Sequence, residues 1–188
     1  MTHYPLFDFA TPPRTGSVWF LQACAIAGLG ERSHGSVHQP HTSDGVAYRV
    51  TMVRHPCHWL QAYYTTIHRC YLDVPCVDIF HKLPADGFDN FVRGYLRTCP
   101  GAVGRMFDAY GADTLLRLED QPRAFIELLD MCGYKFNPNA LKSLDAANRA
   151  RKRKPLWTPS LYEAVWVAEK SFAERFDYVQ GSHSYSGA

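Results

Sequence analysis

The chain has no stretch approaching the roughly 20 consecutive apolar residues that a membrane-spanning helix needs. It opens Met1-Thr2-His3-Tyr4-Pro5, without a basic segment running into an apolar one. A soluble, cytoplasmic protein with no membrane partner is therefore expected. It also has little excess charge: a formal net charge of +2 over 188 residues does not call for a nucleic-acid partner, although local basic clusters could hold a small anion. The six cysteines, at 24, 57, 70, 76, 99 and 132, contain no Cys-x-x-Cys pair, so reduced thiols are expected, with Cys24 buried in an apolar helix. No repeat, low-complexity tract or Pro/Gly-rich linker interrupts the chain. Residues 1–188 are thus expected to form a single domain, for which 46% hydrophobic content can supply a core.

What the sequence does have is Thr11-Pro12-Pro13-Arg14-Thr15-Gly16-Ser17-Val18-Trp19, where a basic residue, three hydroxyls and a glycine lie between two apolar runs. Leu6–Ala10 reads as a short buried strand, and Ser17–Ala27 as a helix ended by Gly28 and Gly30. The loop therefore opens a helix, whose unpaired N–H groups and positive dipole end favour a phosphate or sulfate. It lacks the Gly-x-x-x-x-Gly-Lys-Ser/Thr spacing of an ordinary nucleotide triphosphate loop. Taken by itself it could equally be a capped turn.

Strands and helices alternate further along. Tyr48–Val53 reads as a strand running into Arg54-His55-Pro56 and a helix from Cys57 to about His68. Apolar residues recur at helical spacing over Phe88–Leu96, Thr114–Leu118 is a third strand, and a helix over about Gln121–Met131 ends at Gly133. An amphipathic helix from Pro159 to about Phe176 closes the chain. This alternation predicts an α/β fold, three layers with a mainly parallel central sheet, whose ligands sit at the carboxyl ends of the strands, where both loops fall. Arg54, standing directly after a strand, is placed to offer a phosphate two parallel hydrogen bonds, or else to form a surface ion pair.

Thr11–Trp19 is similar to the 5′-phosphosulfate loop of sulfotransferases that use 3′-phosphoadenosine 5′-phosphosulfate (PAPS), whose pattern is Thr-Tyr-Pro-Lys-Ser-Gly-Thr-Thr-Trp. Thr11, Pro13, Thr15, Gly16, Ser17 and Trp19 match in identity or type, and Arg14 stands at the lysine. Arg54-His55-Pro56 resembles the family's 3′-phosphate segment, with Ala62 where that segment has a serine. Arg117-Leu118-Glu119-Asp120 resembles the Arg-Tyr-Glu-Asp segment after a core strand, and its carboxylates at a helix start suit the dipole without any catalytic role. Arg151-Lys152-Arg153-Lys154-Pro155-Leu156-Trp157 resembles the late loop that closes over the 3′-phosphate and adenosine, without its glycine. A basic run of this kind is otherwise a solvated face or a nucleic-acid patch.

The resemblance implies a P-loop sulfotransferase-like fold and transfer of a sulfuryl group from PAPS, without a metal, to a hydroxyl or amine of a small molecule or glycan. It implies that Arg14, Thr15, Gly16, Ser17, Val18 and Trp19 hold the phosphosulfate, and that Arg54, Arg151 and Lys152 hold the 3′-phosphate side. The family's base is usually a histidine between the two phosphate loops, which points to His38 in His38-Gln39-Pro40, with His41 and His34 as rivals. A noncatalytic binder of a nucleotide or other phosphoanion on the same fold is the alternative. His38-x-x-His41 and His55-x-x-His58 could pair imidazoles on a metal, but neither has the adjacent Glu of a metalloprotease, and Pro40 and Pro56 interrupt the helix that spacing requires.

Overall fold

The computed structural model describes residues 2–3, 7–30, 38, 48–67, 77–144 and 154–180. In chain order these form β1 (Thr2–His3), β2 (Asp8–Phe9), α1 (Ser17–Ile26), β3 (Arg49–Val53), α2 (Pro56–Ile67), α3 (Asp78–His81), α4 (Phe88–Thr98), α5 (Ala102–Asp108), β4 (Thr114–Arg117), α6 (Arg123–Met131), α7 (Pro138–Lys142), α8 (Pro159–Ala168) and α9 (Lys170–Arg175). The chain divides into two compact units: Met1–Arg54 with Met106–Arg153, and His55–Arg105 with Lys154–Ala188.

The first unit carries the sheet, ordered β1-β2-β3-β4. β2, β3 and β4 run parallel, and β1 joins the edge antiparallel. The α/β class and the parallel strands match the alternation in the sequence. The sheet itself is small: regular pairing of β2 covers only Asp8 and Phe9, although the Ala10 N–H continues it onto the Val50 carbonyl at 3.1 Å. Val50 and Met52 of β3 and Leu116 of β4 are buried with Phe7 and Phe9 against α1, α6 and α7. Phe20 of α1 lies flat on Phe9, ring centroids 3.7 Å apart, and edge-on to Phe125 of α6 at 4.9 Å. Each fully buried aromatic ring of this kind contributes about 2–3 kcal/mol of burial free energy. The α1 helix stops where the sequence says it should: Gly28 turns left-handed (φ 76°). Its N–H reaches the Ala25 carbonyl (3.1 Å), and Leu29 N–H reaches that of Cys24 (3.0 Å), closing the helix end.

The second unit is helical, with α2, α4 and α8 packed on one another. Phe88, Phe91, Val92 and Tyr95 recur at i, i+3, i+4 and i+7 and are all buried, which is why this polar-looking segment becomes α4. Tyr63 is buried against Trp59 and Phe80, and half-buried Tyr64 against Phe88 and Phe91. These aromatics thus serve packing.

The closing helix is a departure from expectation. It breaks at Glu169, between α8 and α9. At that break the Glu169 carboxylate accepts N–H bonds from Val103 (3.1 Å) and Gly104 (2.9 Å) at the start of α5, and the Tyr95 hydroxyl donates to it. Burial holds the Glu169 carboxyl above its ordinary range, against the opposing pull of those donors. Among the described residues Cys24, Cys57, Cys99 and Cys132 are free thiols, and burial pushes the Cys57 thiol up.

Candidate functional site

The loop between β2 and α1 is held to the sheet by its hydroxyls. Thr11, fully buried, donates its Oγ1 proton to the Met52 carbonyl of β3 (2.9 Å). Thr15 Oγ1, also fully buried, lies 2.5 Å from the Pro12 carbonyl and 2.6 Å from Thr11 Oγ1, and shares its single proton between them. Thr51 of β3 donates to the Ala10 carbonyl at 2.5 Å. The two loop threonine hydroxyls are therefore spent inside the loop, and what Thr15 can offer an anion is its backbone N–H.

Inside that frame the backbone turns twice into the left-handed region, at Arg14 (φ 68°) and Gly16 (φ 92°). Gly16 is required on two counts: its φ suits glycine, and a Cβ there would stand 2.5 Å from Leu118 Cδ1 and 3.4 Å from Met52 Cε. It is also the N-cap of α1, where no described side chain accepts the cap hydrogen bond and no acidic residue stands in the first turn. The N–H groups of Ser17, Val18 and Trp19 open the helix there, while Phe20 N–H already bonds the Gly16 carbonyl at 3.0 Å. Val18 is exposed and Ser17 half-buried. The Trp19 indole points into the core, 6% exposed and edge-on to Phe125, so only its backbone belongs to the cradle.

Two residues distant in sequence come to this loop. Arg54, at the carboxyl end of β3, donates Nη1–H to the Arg14 carbonyl (2.9 Å), so it fixes the loop with one of its donors. His38 Nδ1 lies 2.9 Å from the Thr11 carbonyl. A carbonyl oxygen only accepts, so Nδ1 carries the proton and the neutral ring has its lone pair on Nε2. Burial lowers the His38 pKa from 6.5, opposed by the Thr11 hydrogen bond and reinforced by the Arg14 charge. His38 is thereby kept a neutral imidazole beside a guanidinium at neutral pH.

Other expected residues fall elsewhere. His34, His41, Arg151 and Lys152 lie outside the described residues. Ala62 sits in α2, where its carbonyl accepts the hydroxyls of Thr65 (2.8 Å) and Thr66 (2.9 Å). Its neighbour Gln61 donates to the Pro155 carbonyl (2.7 Å). Arg117 meets Asp120 at 3.3 Å, which fits a structural use of Arg117–Asp120. Leu118, from the same segment, is the residue against Gly16, a contact that the acidic pattern around it hid. Sequence reasoning also missed Tyr110, whose hydroxyl donates to the His38 carbonyl (2.8 Å). Among the described residues no group of three or more His, Cys, Asp or Glu could hold a metal ion, and no helix is long and apolar enough to cross a membrane. No known family model matches the sequence, and neither a curated protein nor a solved structure matches it.

Proposed function

We propose that this chain is a small cytoplasmic sulfotransferase of the P-loop type, using PAPS to sulfate a hydroxyl or amine of a small molecule or glycan. The observation that carries the reading is the meeting of three residues from separate segments on one loop: Arg14 within it, Arg54 bonded to its carbonyl, and His38 bonded to Thr11. The loop suits an anion. Among the described residues the first turn of α1 has neither an acid nor a side-chain cap, and Arg14 stands in the loop that leads into it.

When bound, PAPS supplies the sulfuryl group and a phosphate able to depart with the electron pair of the broken S–O bond. The chain's part is then to move one proton and to hold charge. His38 Nε2 accepts the proton of the acceptor O–H or N–H as that atom bonds to sulfur. Arg14 and the backbone N–H groups of residues 15–18 hold the negative charge left on the phosphate. Arg14, charged at every relevant pH, stabilises that charge without releasing a proton. Arg54, at the carboxyl end of β3, is proposed to add its charge at the 3′-phosphate side, with Arg151 and Lys152.

Calorimetry with 3′-phosphoadenosine 5′-phosphate is expected to show preference over AMP and ATP; equal affinity for the three would sink the proposal. His38→Ala is expected to lower transfer by about 10²- to 10⁴-fold with that affinity retained, the range general bases contribute. A second reading, a noncatalytic phosphoanion binder, is favoured by Ala62 at the position of the family's serine. Product from a panel of phenol, sugar and amine acceptors would reject it.

A further inference from the structure

We infer that Tyr110 is the positioning residue of His38. The catalytic consequence rests on the sulfotransferase reading; the positioning itself does not. The Nδ1–H bond to Thr11 fixes one edge of the imidazole but not the backbone that carries it, because two side-chain torsions separate the ring from its Cα. The Tyr110 hydroxyl, donating to the His38 carbonyl at 2.8 Å, supplies the missing restraint. With both in place the residue is held at its two ends, and Nε2 has one direction in which to face.

Tyr110 is itself well anchored. It is fully buried, and its N–H reaches the Phe107 carbonyl at 3.1 Å. Just beyond it, Asp113 is clamped to Arg49 of β3. The Asp113 N–H donates to the Arg49 carbonyl (3.0 Å), and the Arg49 guanidinium grips the carboxylate at 3.0 and 2.7 Å. Thr11 is referenced to the same strand through Met52. Both restraints on His38 therefore trace back to β3, the strand that Arg54 directly follows. The base and the cradle share one rigid reference, which is what a proton transfer over hydrogen-bond distance requires.

The test is Tyr110→Phe, which keeps the buried ring and removes the hydroxyl's hydrogen bond to the His38 carbonyl. Nitrogen-15 NMR of the His38 ring reads the positioning without any substrate. In the wild type a single Nδ1–H tautomer titrating below 6.5 is expected, and in Tyr110→Phe a mixture of tautomers whose midpoint moves back up toward 6.5. Transfer should fall about tenfold in Tyr110→Phe at unchanged affinity for 3′-phosphoadenosine 5′-phosphate, the scale at which small misplacements act. In a His38→Ala background the same change should add nothing, since Tyr110 acts only through His38. An unchanged tautomer and midpoint in Tyr110→Phe, or equal rate losses in both backgrounds, overturns the inference. Mixed tautomers in the wild type overturn it without any variant, should Tyr110→Phe not fold. A wild type that neither binds the desulfated product nor transfers sulfate defeats the sulfotransferase reading, and leaves the NMR result to decide the positioning.

Discussion

Two helix starts in this protein solve the same problem in opposite ways. The amides of Val103 and Gly104 near the start of α5 are met by Glu169, a carboxylate delivered from the far end of the chain and buried to 2% exposure. Among the described residues the start of α1 receives no such group: its first turn has no acid, its cap is a glycine, and Arg14 and His38 lie near it. One helix start is met by a carboxylate of the chain, and the first turn of the other carries no acid and no side-chain cap among the described residues. The difference teaches that an uncapped helix start becomes informative when the same molecule shows how readily it caps another.

The sharpest way to break this contrast is to remove each site's charged side chain. Glu169→Ala strands two amides and the Tyr95 hydroxyl in a buried place, and should destabilise the protein by about 3 kcal/mol or more in urea unfolding. Arg14→Ala should leave unfolding within about 1 kcal/mol of wild type and instead weaken binding of 3′-phosphoadenosine 5′-phosphate by roughly 10- to 100-fold, the worth of a charged hydrogen bond. Were the two variants to lose stability alike, α1 would be an ordinary structural helix start.

A smaller effect is expected at Gly16→Ala. The left-handed φ and the approach of Leu118 together should cost about 2 kcal/mol, measured as a lower melting temperature. Shortening the neighbour, as Leu118→Ala, should recover the steric part but not the backbone part. Full recovery would mean that φ matters little there.

The smallest effects are in pH dependence, and they have opposite signs. Glu169 has a raised folded pKa, so its contribution is fully present below the unfolded value of 4.5 and falls as pH rises through the folded one. His38 has a lowered folded pKa, so its contribution is present above 6.5 and is lost as pH falls toward the folded value. Melting temperatures across pH should therefore lose one slope in Glu169→Gln and the other in His38→Ala. The same lowering keeps His38 neutral into mild acid, so the acidic limb of the transfer rate should have its midpoint below 6.5.

Much of the local structure was legible in the sequence because it is written locally. Hydrophobic period marked α1, β3, α4, β4 and α6, and Gly28 marked the end of α1. The strand-loop-helix passage around Gly16 was legible too, since a polar, glycine-bearing run stands between two apolar ones. What escaped depends on partners far along the chain. The amphipathic pattern over 159–176 continues through Glu169, where the helix breaks, and nothing near it announces the amides of Val103 and Gly104 that its carboxylate meets. Tyr110 acts on a backbone carbonyl, which every residue has, so no motif could point to His38 as its target. Thr11 and Thr15 looked like ligand hydroxyls by composition, and only the approach of Met52 and Pro12 shows them turned inward.

Thr11 has a consequence of another kind. Its side chain is tied to β3 and its carbonyl to His38, so a single residue sets the spacing between sheet and imidazole. The 26 residues between Thr11 and His38 include Arg14, Gly16 and all of α1, so this one residue keeps the imidazole in register with the sheet across the whole helix that the loop opens.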